Sequence, residues 1–205
     1  MPREGLATKH KLIRAGEQLF ARQGIDGALA RDIVAHAGQA NDSAIQYHFG
    51  SRAGLLAAIL AKHVQEMEAE RQATLAGLGP NPRLATLVRA VVEPVAAKLQ
   101  TDDGRDFLQI IAQLAGRAQD GIEPEPIRGT ALSEQLAMLA GACRARLPHA
   151  IADERITMMI TTMTALLAER ARRIGARRRV ALDHDIYVAN MVDMLTAMLR
   201  APSPI

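Results

Sequence analysis

Apolar side chains recur every three or four residues along most of this chain, in segments separated by glycine and proline. Leu12, Gly16, Leu19 and Phe20 form the first of these stripes, and their spacing places them on one face of an α-helix. No stretch of useful length shows the alternation of a β-strand. Hydrophobic residues make up 49% of the 205 residues and aromatic ones only 2%, so the core must be aliphatic. The sequence predicts an all-α fold with about nine helices.

Cap and breaker residues mark where these helices begin and end. Thr8 and Ser51 are typical N-caps, and Gly24 and Gly38 stand where a C′ glycine ends a helix. The pattern predicts helices over 8–23, 29–37, 43–48, 52–75, 83–100 with a kink at Pro94, 105–119, 129–147, 150–174 and 184–199, with a loop over 120–128.

Several classes of protein are excluded by what the chain lacks. Its apolar stretches are too short to span a bilayer, and residues 1–11 have no apolar signal-peptide core. The single cysteine, Cys143, excludes an internal disulfide and a cysteine-based zinc site and is expected to be a small buried residue. No nucleophile, metal-ligand set or glycine-rich phosphate loop is recognisable. We therefore expect a cytoplasmic protein that is not an enzyme and has no cofactor and no metal.

The formal charge of +3 lies entirely in the first 63 residues. That segment holds eight basic and five acidic residues, whereas the remainder holds 17 of each. A local surplus of this kind indicates a module that faces phosphate more clearly than the total charge does.

The first three predicted helices form a helix-turn-helix pattern, in which a longer helix precedes two short helices joined by a tight turn. The second short helix of such a motif enters the major groove, so its outer face must carry small or hydrogen-bonding side chains. Candidate base contacts are Asn41, Asp42, Ser43, Ala44 and Gln46. Asp42 is as well suited to capping the helix, and the pattern leaves open which of residues 41–43 begins it.

Donors at the end of this helix and at the start of the next are suited to backbone phosphates. Tyr47, His48, Ser51 and Arg52 occupy these positions, and Arg31 lies in the first turn of the preceding helix. Each also has a plainer interpretation: Tyr47 could pack, His48 could be a structural histidine, and the others could be solvated surface residues.

An ordered set of short segments resembles the tetracycline-repressor (TetR) family of bacterial transcriptional regulators. The matching segments are 19–24 (LFARQG), 31–35 (RDIVA), 37–38 (AG), 47–52 (YHFGSR) and 55–56 (LL). The resemblance implies a homodimer with a DNA-binding domain over 1–51 and a ligand-binding and dimerisation domain over 52–205, whose first helix, 52–75, links the two. It implies dimerisation through the last two helices.

One departure from the family is visible before the second helix. The family often has Thr-Ser there, whereas this chain has Ala28 and Leu29. We therefore expect the second helix to lack its usual side-chain cap, unless Asp26 provides one from further out.

Seven of the nine methionines lie in the second half of the chain, three of them at helical spacing over 158–163. They are suited to core or dimer packing, or to an adaptable apolar ligand pocket. Candidate pocket residues are Phe107, Ile111, Met138, Met159 and Met163.

The sequence thus predicts a regulator that binds a double-stranded, (pseudo)palindromic DNA operator, most simply a repressor released by a small apolar or amphipathic effector. The alternative is a helical dimeric protein that binds small molecules without specific DNA binding. Neither reading involves a membrane.

Overall fold

The computed structural model describes residues 2–41, 43–115 and 129–203, with the side chains of residues 2–4 left out. All regular structure in these ranges is helical, as predicted. The helices are α1 (Pro2–Gln23), α2 (Ala30–His36), α3 (Ala44–Phe49), α4 (Arg52–Gly77), α5 (Leu84–Ala97), a 3₁₀ turn (Lys98–Gln100), α6 (Asp102–Ala115), α7 (Ala131–Arg144), α8 (His149–Gly175) and α9 (His184–Arg200). The predicted loop over 120–128 and the predicted helical residues 116–119 lie outside the described ranges.

Two helix starts differ from the sequence prediction by more than two residues. The first helix begins at Pro2, so Thr8 lies inside it and is not its cap; proline is well tolerated in a first turn, and the residues that follow favour helix. The sixth begins at Asp102, because the Thr101 hydroxyl accepts a hydrogen bond from Gly104 N at 3.1 Å and so caps the helix. Gly24 and Gly38 have the positive φ angles, 85° and 65°, that favour glycine at a helix end.

A first hydrophobic core, here called the head core, holds α1, α2 and α3 together. It includes the predicted stripe of Leu12, Leu19 and Phe20, and the inward faces of the two short helices. Its members are Leu12, Ala15, Leu19, Phe20, Ile25, Ala28, Ile33, Val34, Ala37, Ala44, Ile45, Leu55, Ile59 and Ile110. Because Leu55 and Ile59 belong to α4 and Ile110 to α6, two helices beyond residue 51 complete the core of the N-terminal domain.

A second core, the body core, lies among α4 to α9. An apolar stripe of the last helix, Val188, Val192, Leu195 and Leu199, is buried in it. Cys143 is buried there as predicted, and this burial raises the pKa of its thiol. No helix in the described part of the chain is both long and apolar enough to cross a membrane.

Candidate nucleic-acid interface

The turn between α2 and α3 is organised by the first residues predicted to contact bases. The Asn41 side-chain Oδ1 accepts a hydrogen bond from Ser43 N at 2.9 Å, and the Asn41 carbonyl accepts one from Ala44 N at 2.9 Å. Ser43 is the N-cap residue of α3, although its hydroxyl makes no capping bond. Helix α3 therefore begins at Ala44, one residue after the range 41–43 that the sequence left open, and Ser43 stands immediately before it.

The outer face of α3 presents polar side chains to solvent. Gln46 is exposed and Tyr47 is 84% exposed, while Ile45 anchors the opposite face in the head core. Ala44 is only 7% exposed and packs in the same core. Ala44 therefore presents little surface for the predicted base contact, which stays a prediction. Asp42 lies outside the described residues.

Cationic and polar groups gather where α3 ends and α4 begins. His48 packs edge-on against Tyr47, with ring centroids 4.9 Å apart. The Lys9 ammonium lies 5.8 Å from the centroid of the Phe49 ring, which brings a charge from α1 to this end of α3. Ser51 caps α4, accepting a hydrogen bond from Gly54 N at 2.9 Å. Sequence reasoning missed Lys9, since nothing in its local pattern indicates that it packs against α3.

Arg52 is engaged inside the domain. Its Nη1 donates to the carbonyls of Ile25 and Ala28, the latter at 3.3 Å, and its guanidinium lies 5.8 Å from the Phe20 ring centroid. These contacts fasten the connection between α1 and α2 to the start of α4. These internal hydrogen bonds compete with the predicted phosphate contact at Arg52, because carbonyls of the short connection attract the guanidinium.

Arg31 remains in the position expected of a phosphate contact. Its side chain is 76% exposed and meets only the neighbouring Asp32 carboxylate, at 3.5 Å. The helix that carries it has Leu29 at its N-cap and no side-chain capping bond, as the departure from the family predicted.

Helix α6 attaches this domain to the rest of the protein through Gln113. Its Oε1 accepts a hydrogen bond from Ile25 N at 2.8 Å, and its Nε2 donates to the Phe20 carbonyl at 3.2 Å. One side chain of the body therefore satisfies both a donor and an acceptor at the end of α1, and Ile110 packs in the head core one turn earlier.

A network of charges, here called the junction cluster, joins α1, α4 and α6. At its centre, the fully buried Glu17 accepts hydrogen bonds from Arg14 at 3.1 Å, Lys62 at 2.9 Å and His63 at 3.0 Å. Its outer members are Glu66, Lys98, Asp103 and Asp106. Burial alone would raise the pKa of Glu17, but the hydrogen bonds from His63 and Lys62 outweigh burial and lower it.

Three members of the junction cluster have the residue types of a metal site. Ligand atoms of Glu17, His63 and Asp103 lie within 4.8 Å of one another. However, the Lys62 ammonium binds both carboxylates, at 2.9 Å each, and so supplies the positive charge that a metal ion would bring. We assign no metal to this cluster.

The predicted ligand-pocket residues lie in the body. Phe107, Met159 and Met163 are buried in the body core, and Ile111 and Met138 are partly buried against it. The Phe107 ring also stacks on His63 with centroids 4.3 Å apart. The four surface cavities that we describe, of about 220 to 440 Å³, are not lined by any of these five residues. The ligand pocket at these residues therefore stays a prediction.

Comparison with known proteins agrees with this architecture. Residues 12–59 match the model of the bacterial regulatory proteins of the tetR family. No curated protein sequence matches the chain.

Solved structures share the fold along nearly the whole length. A protein described as a tetR family transcription regulator from Shewanella sp. PV-4 superposes with a TM-score of 0.54 at 16% identity, covering 92% of this chain and 95% of that one. The fatty acid degradation regulator FadR from Bacillus halodurans gives 0.51 at 14% identity, covering 95% and 97%. A TetR-family protein from Mesorhizobium loti gives 0.50 at 14%, covering 95% and 96%.

At these identities the structural likeness establishes the fold, and the match over 12–59 establishes the kind of N-terminal domain. This chain therefore joins the N-terminal domain of the tetR family of bacterial regulatory proteins to a helical body with the fold of TetR-family regulators.

Proposed function

We propose that this protein is a sequence-specific DNA-binding transcriptional regulator, a repressor that a small molecule releases from its operator. One observation carries the proposal: Gln46 and Tyr47 stand exposed on a recognition helix whose other face is anchored in the head core. Residues 1–51 would bind DNA and residues 52–205 would bind the ligand and the partner chain. Such a regulator acts in the cytoplasm, where it reaches the chromosome, and needs no catalytic group.

The last two helices support dimerisation with a second copy. Met158 and Leu166 on α8 and Ile186 and Met194 on α9 are large apolar side chains exposed to solvent by 38 to 56%, although both helices also bury a full apolar stripe. A two-fold axis through this face would bury them against their own copies. Two recognition helices related by that axis would read two half-sites of a (pseudo)palindromic operator.

A second function remains testable because α2 begins without a side-chain cap at Leu29. Where an N-cap side chain makes such a bond, it stabilises the helix by about 1 kcal/mol, and Leu29 makes none. This observation favours a helical dimer that binds small molecules without specific DNA binding.

Selection of bound sequences from random DNA separates the two functions. A regulator enriches a sequence with two-fold symmetry, and the affinity for it falls steeply as salt rises, because phosphate contacts release counterions. Failure to enrich any sequence, with weak binding that ignores scrambling of the DNA, would overturn the proposal in favour of the alternative.

Gln46→Ala tests the recognition helix itself. If Gln46 makes a bidentate base contact, the variant loses about 1–3 kcal/mol of discrimination at one position of the selected site and tolerates other bases there. Fluorescence anisotropy with the selected site and its single-base variants measures this. Gln65→Ala is the matched control, since Gln65 is exposed on α4 beyond the DNA-binding domain, and it should keep the parental specificity.

A further inference from the structure

An arginine and a glutamine meet inside the body, between α4 and α7. Arg71 is 1% exposed and Gln135 is 0% exposed. The Arg71 Nη1 donates to the Gln135 Oε1 at 2.5 Å and to the Ala90 carbonyl at 3.3 Å. Around them α4, α5 and α7 contribute apolar residues to the body core, among them Met67 and Leu139.

Two donors of this pair have no partner. The Arg71 Nη2 and the Gln135 Nε2 are both buried and make no hydrogen bond in the described structure. The Gln135 Oε1 faces the guanidinium and so sets the orientation of the amide. The free Nε2 of the same amide group lies beside Oε1. A buried donor without an acceptor is costly and uncommon in native proteins, and here two of them lie together.

The charge of Arg71 is also unmatched at close range. Among the described residues, no carboxylate lies within 4.0 Å of its guanidinium. Glu68, three residues earlier, uses its Oε1 to accept hydrogen bonds from Ala131 N and Gln72, and leaves its Oε2 buried and free. Burial lowers the pKa of Arg71 to about 10, against the opposing influence of Glu70 and Glu68, so the group stays charged at pH 7. A trapped water could accept from the two donors, but it would not neutralise the charge.

We propose that Arg71 and Gln135 form the head-group site for the effector, and that the effector is a small carboxylic acid with an apolar body. Its carboxylate would accept from the Arg71 Nη2 and the Gln135 Nε2 and supply the missing negative charge, while the surrounding aliphatic side chains would hold the rest of the molecule. This inference rests on the proposed function, because it names the ligand class of the proposed regulator.

The position of the pair connects it to the DNA-binding domain. Arg71 lies on α4, the helix that carries Leu55 and Ile59 into the head core and Lys62 and His63 into the junction cluster. A ligand that enters between α4 and α7 must move these helices apart, since the structure shows the two packed together there. Any displacement of α4 is transmitted to the helices that hold the recognition helix.

The double variant Arg71→Met/Gln135→Leu tests the site without knowledge of the ligand. If the pair is kept for a ligand, replacing it by apolar side chains of similar size leaves the free protein as stable or more stable, so its Tm stays or rises. If the pair is structural, Tm falls, and the proposal is overturned. Arg89→Met is the matched control: Arg89 is an exposed arginine of α5 paired with Glu93, and its loss should move Tm little.

A panel of benzoate, phenylacetate, octanoate and decanoate, each with the corresponding primary alcohol, tests the ligand class. At least one carboxylate should raise the Tm of the parent protein and of Arg89→Met and lower DNA affinity at least fivefold, with no such effect from its alcohol or in the double variant. A response to the alcohols, a response that persists in the double variant, or no response to any member overturns the inference. Binding of the parent protein to its selected DNA is measured first: its absence counts against the proposed function, whereas its presence without a carboxylate response counts against this inference alone.

Discussion

Two buried charged groups lie along α4, and they differ in how completely their charges are matched. In the junction cluster, Glu17 is fully buried and accepts three hydrogen bonds, from Arg14, Lys62 and His63. Glu17 belongs to α1 and lies against the part of α4 that carries Lys62 and His63, whereas Arg71 lies farther along α4 itself and is equally buried. Among the described residues, its hydrogen-bond partners are a glutamine and a carbonyl. The Glu17 carboxylate is thus matched by the protein itself, although His63 Nδ1 in the same cluster makes no hydrogen bond, whereas Arg71 and Gln135 leave two donors free.

This difference in hydrogen bonding indicates which buried group stabilises the fold and which is suited to binding a ligand. A matched buried cluster is destabilising to break, because each lost partner leaves a desolvated charge. A buried charged group without a matching charge already carries this desolvation penalty in the free protein. Replacing it with apolar side chains is therefore not expected to lower stability. We therefore expect the junction cluster to hold the two domains together and the Arg71 pair to serve a ligand.

Glu17→Gln is expected to have the largest effect on stability. The neutral amide cannot compensate Lys62, Arg14 and His63 at once, so we expect the free energy of unfolding to fall by about 2 kcal/mol, a value reduced for the partial solvent exposure of Lys62 and Arg14. Urea denaturation at pH 7 measures this. Glu154→Gln, at an exposed position of α8, serves as control. Equal stability of the two variants would remove the contrast between the clusters.

Acid should weaken the same cluster. The partners of Glu17 and Asp103 lower the pKa of both carboxyl groups below their usual values, chiefly through hydrogen bonds from His63 and Lys62 to Glu17 and from Lys62 to Asp103, against the raising effect of burial. A depressed folded-state pKa gives stability that is present above the unfolded pKa, near pH 4 to 4.5, and is lost as pH falls further. Unfolding free energies from about pH 7 down to about pH 3 should therefore decline less in Glu17→Gln than in Glu154→Gln. Parallel pH profiles would contradict this.

Arg52→Met is expected to have a smaller effect, of about 1–2 kcal/mol on stability, because it removes hydrogen bonds to the carbonyls of Ile25 and Ala28 while keeping an apolar stem near Phe20. The slope of log Kd for DNA against log salt should stay unchanged. Arg31→Met is the matched control: this exposed residue should leave stability alone and flatten the slope by about 0.9 if it contacts one phosphate. A flattened slope with unchanged stability in Arg52→Met would restore the phosphate contact predicted from sequence.

Sequence reasoning captured the features that depend on local spacing. The helical class, the glycine-ended helices, Ser51 as the cap of α4, and the buried stripes of α1 and α9 all follow from periodicity and caps, which act over a few residues. The family resemblance is confirmed by the match over 12–59 and by the shared fold. The base and phosphate contacts all stay predictions, and at Ala44 and Arg52 the structure shows internal packing or hydrogen bonds that compete with them.

The remaining features depend on contacts between residues far apart in the chain. Gln113 makes hydrogen bonds to Ile25 and Phe20 at the end of α1, from which it is separated by 88 and 93 residues. Nothing near Gln113 in the sequence indicates this role. The sequence could not indicate the internal hydrogen bonds of Arg52, because its carbonyl partners are positioned by the path of the connection over 24–29. Arg71 and Gln135 lie 64 residues apart. The local sequence around each residue therefore gives no sign that the two form a buried polar pair.

Helix α4 has a mechanical consequence that follows from its length. Its 26 residues span about 39 Å at 1.5 Å per residue. Leu55 and Ile59 near its start pack in the head core, and Met67, farther along, packs in the body core. A tilt of roughly 5° pivoting near one end would sweep the other end through about 3 Å, a displacement on the scale of known switching motions. In a dimer that must match two half-sites about 34–36 Å apart, a mismatch of that size on each side would place the two recognition helices out of register with the grooves.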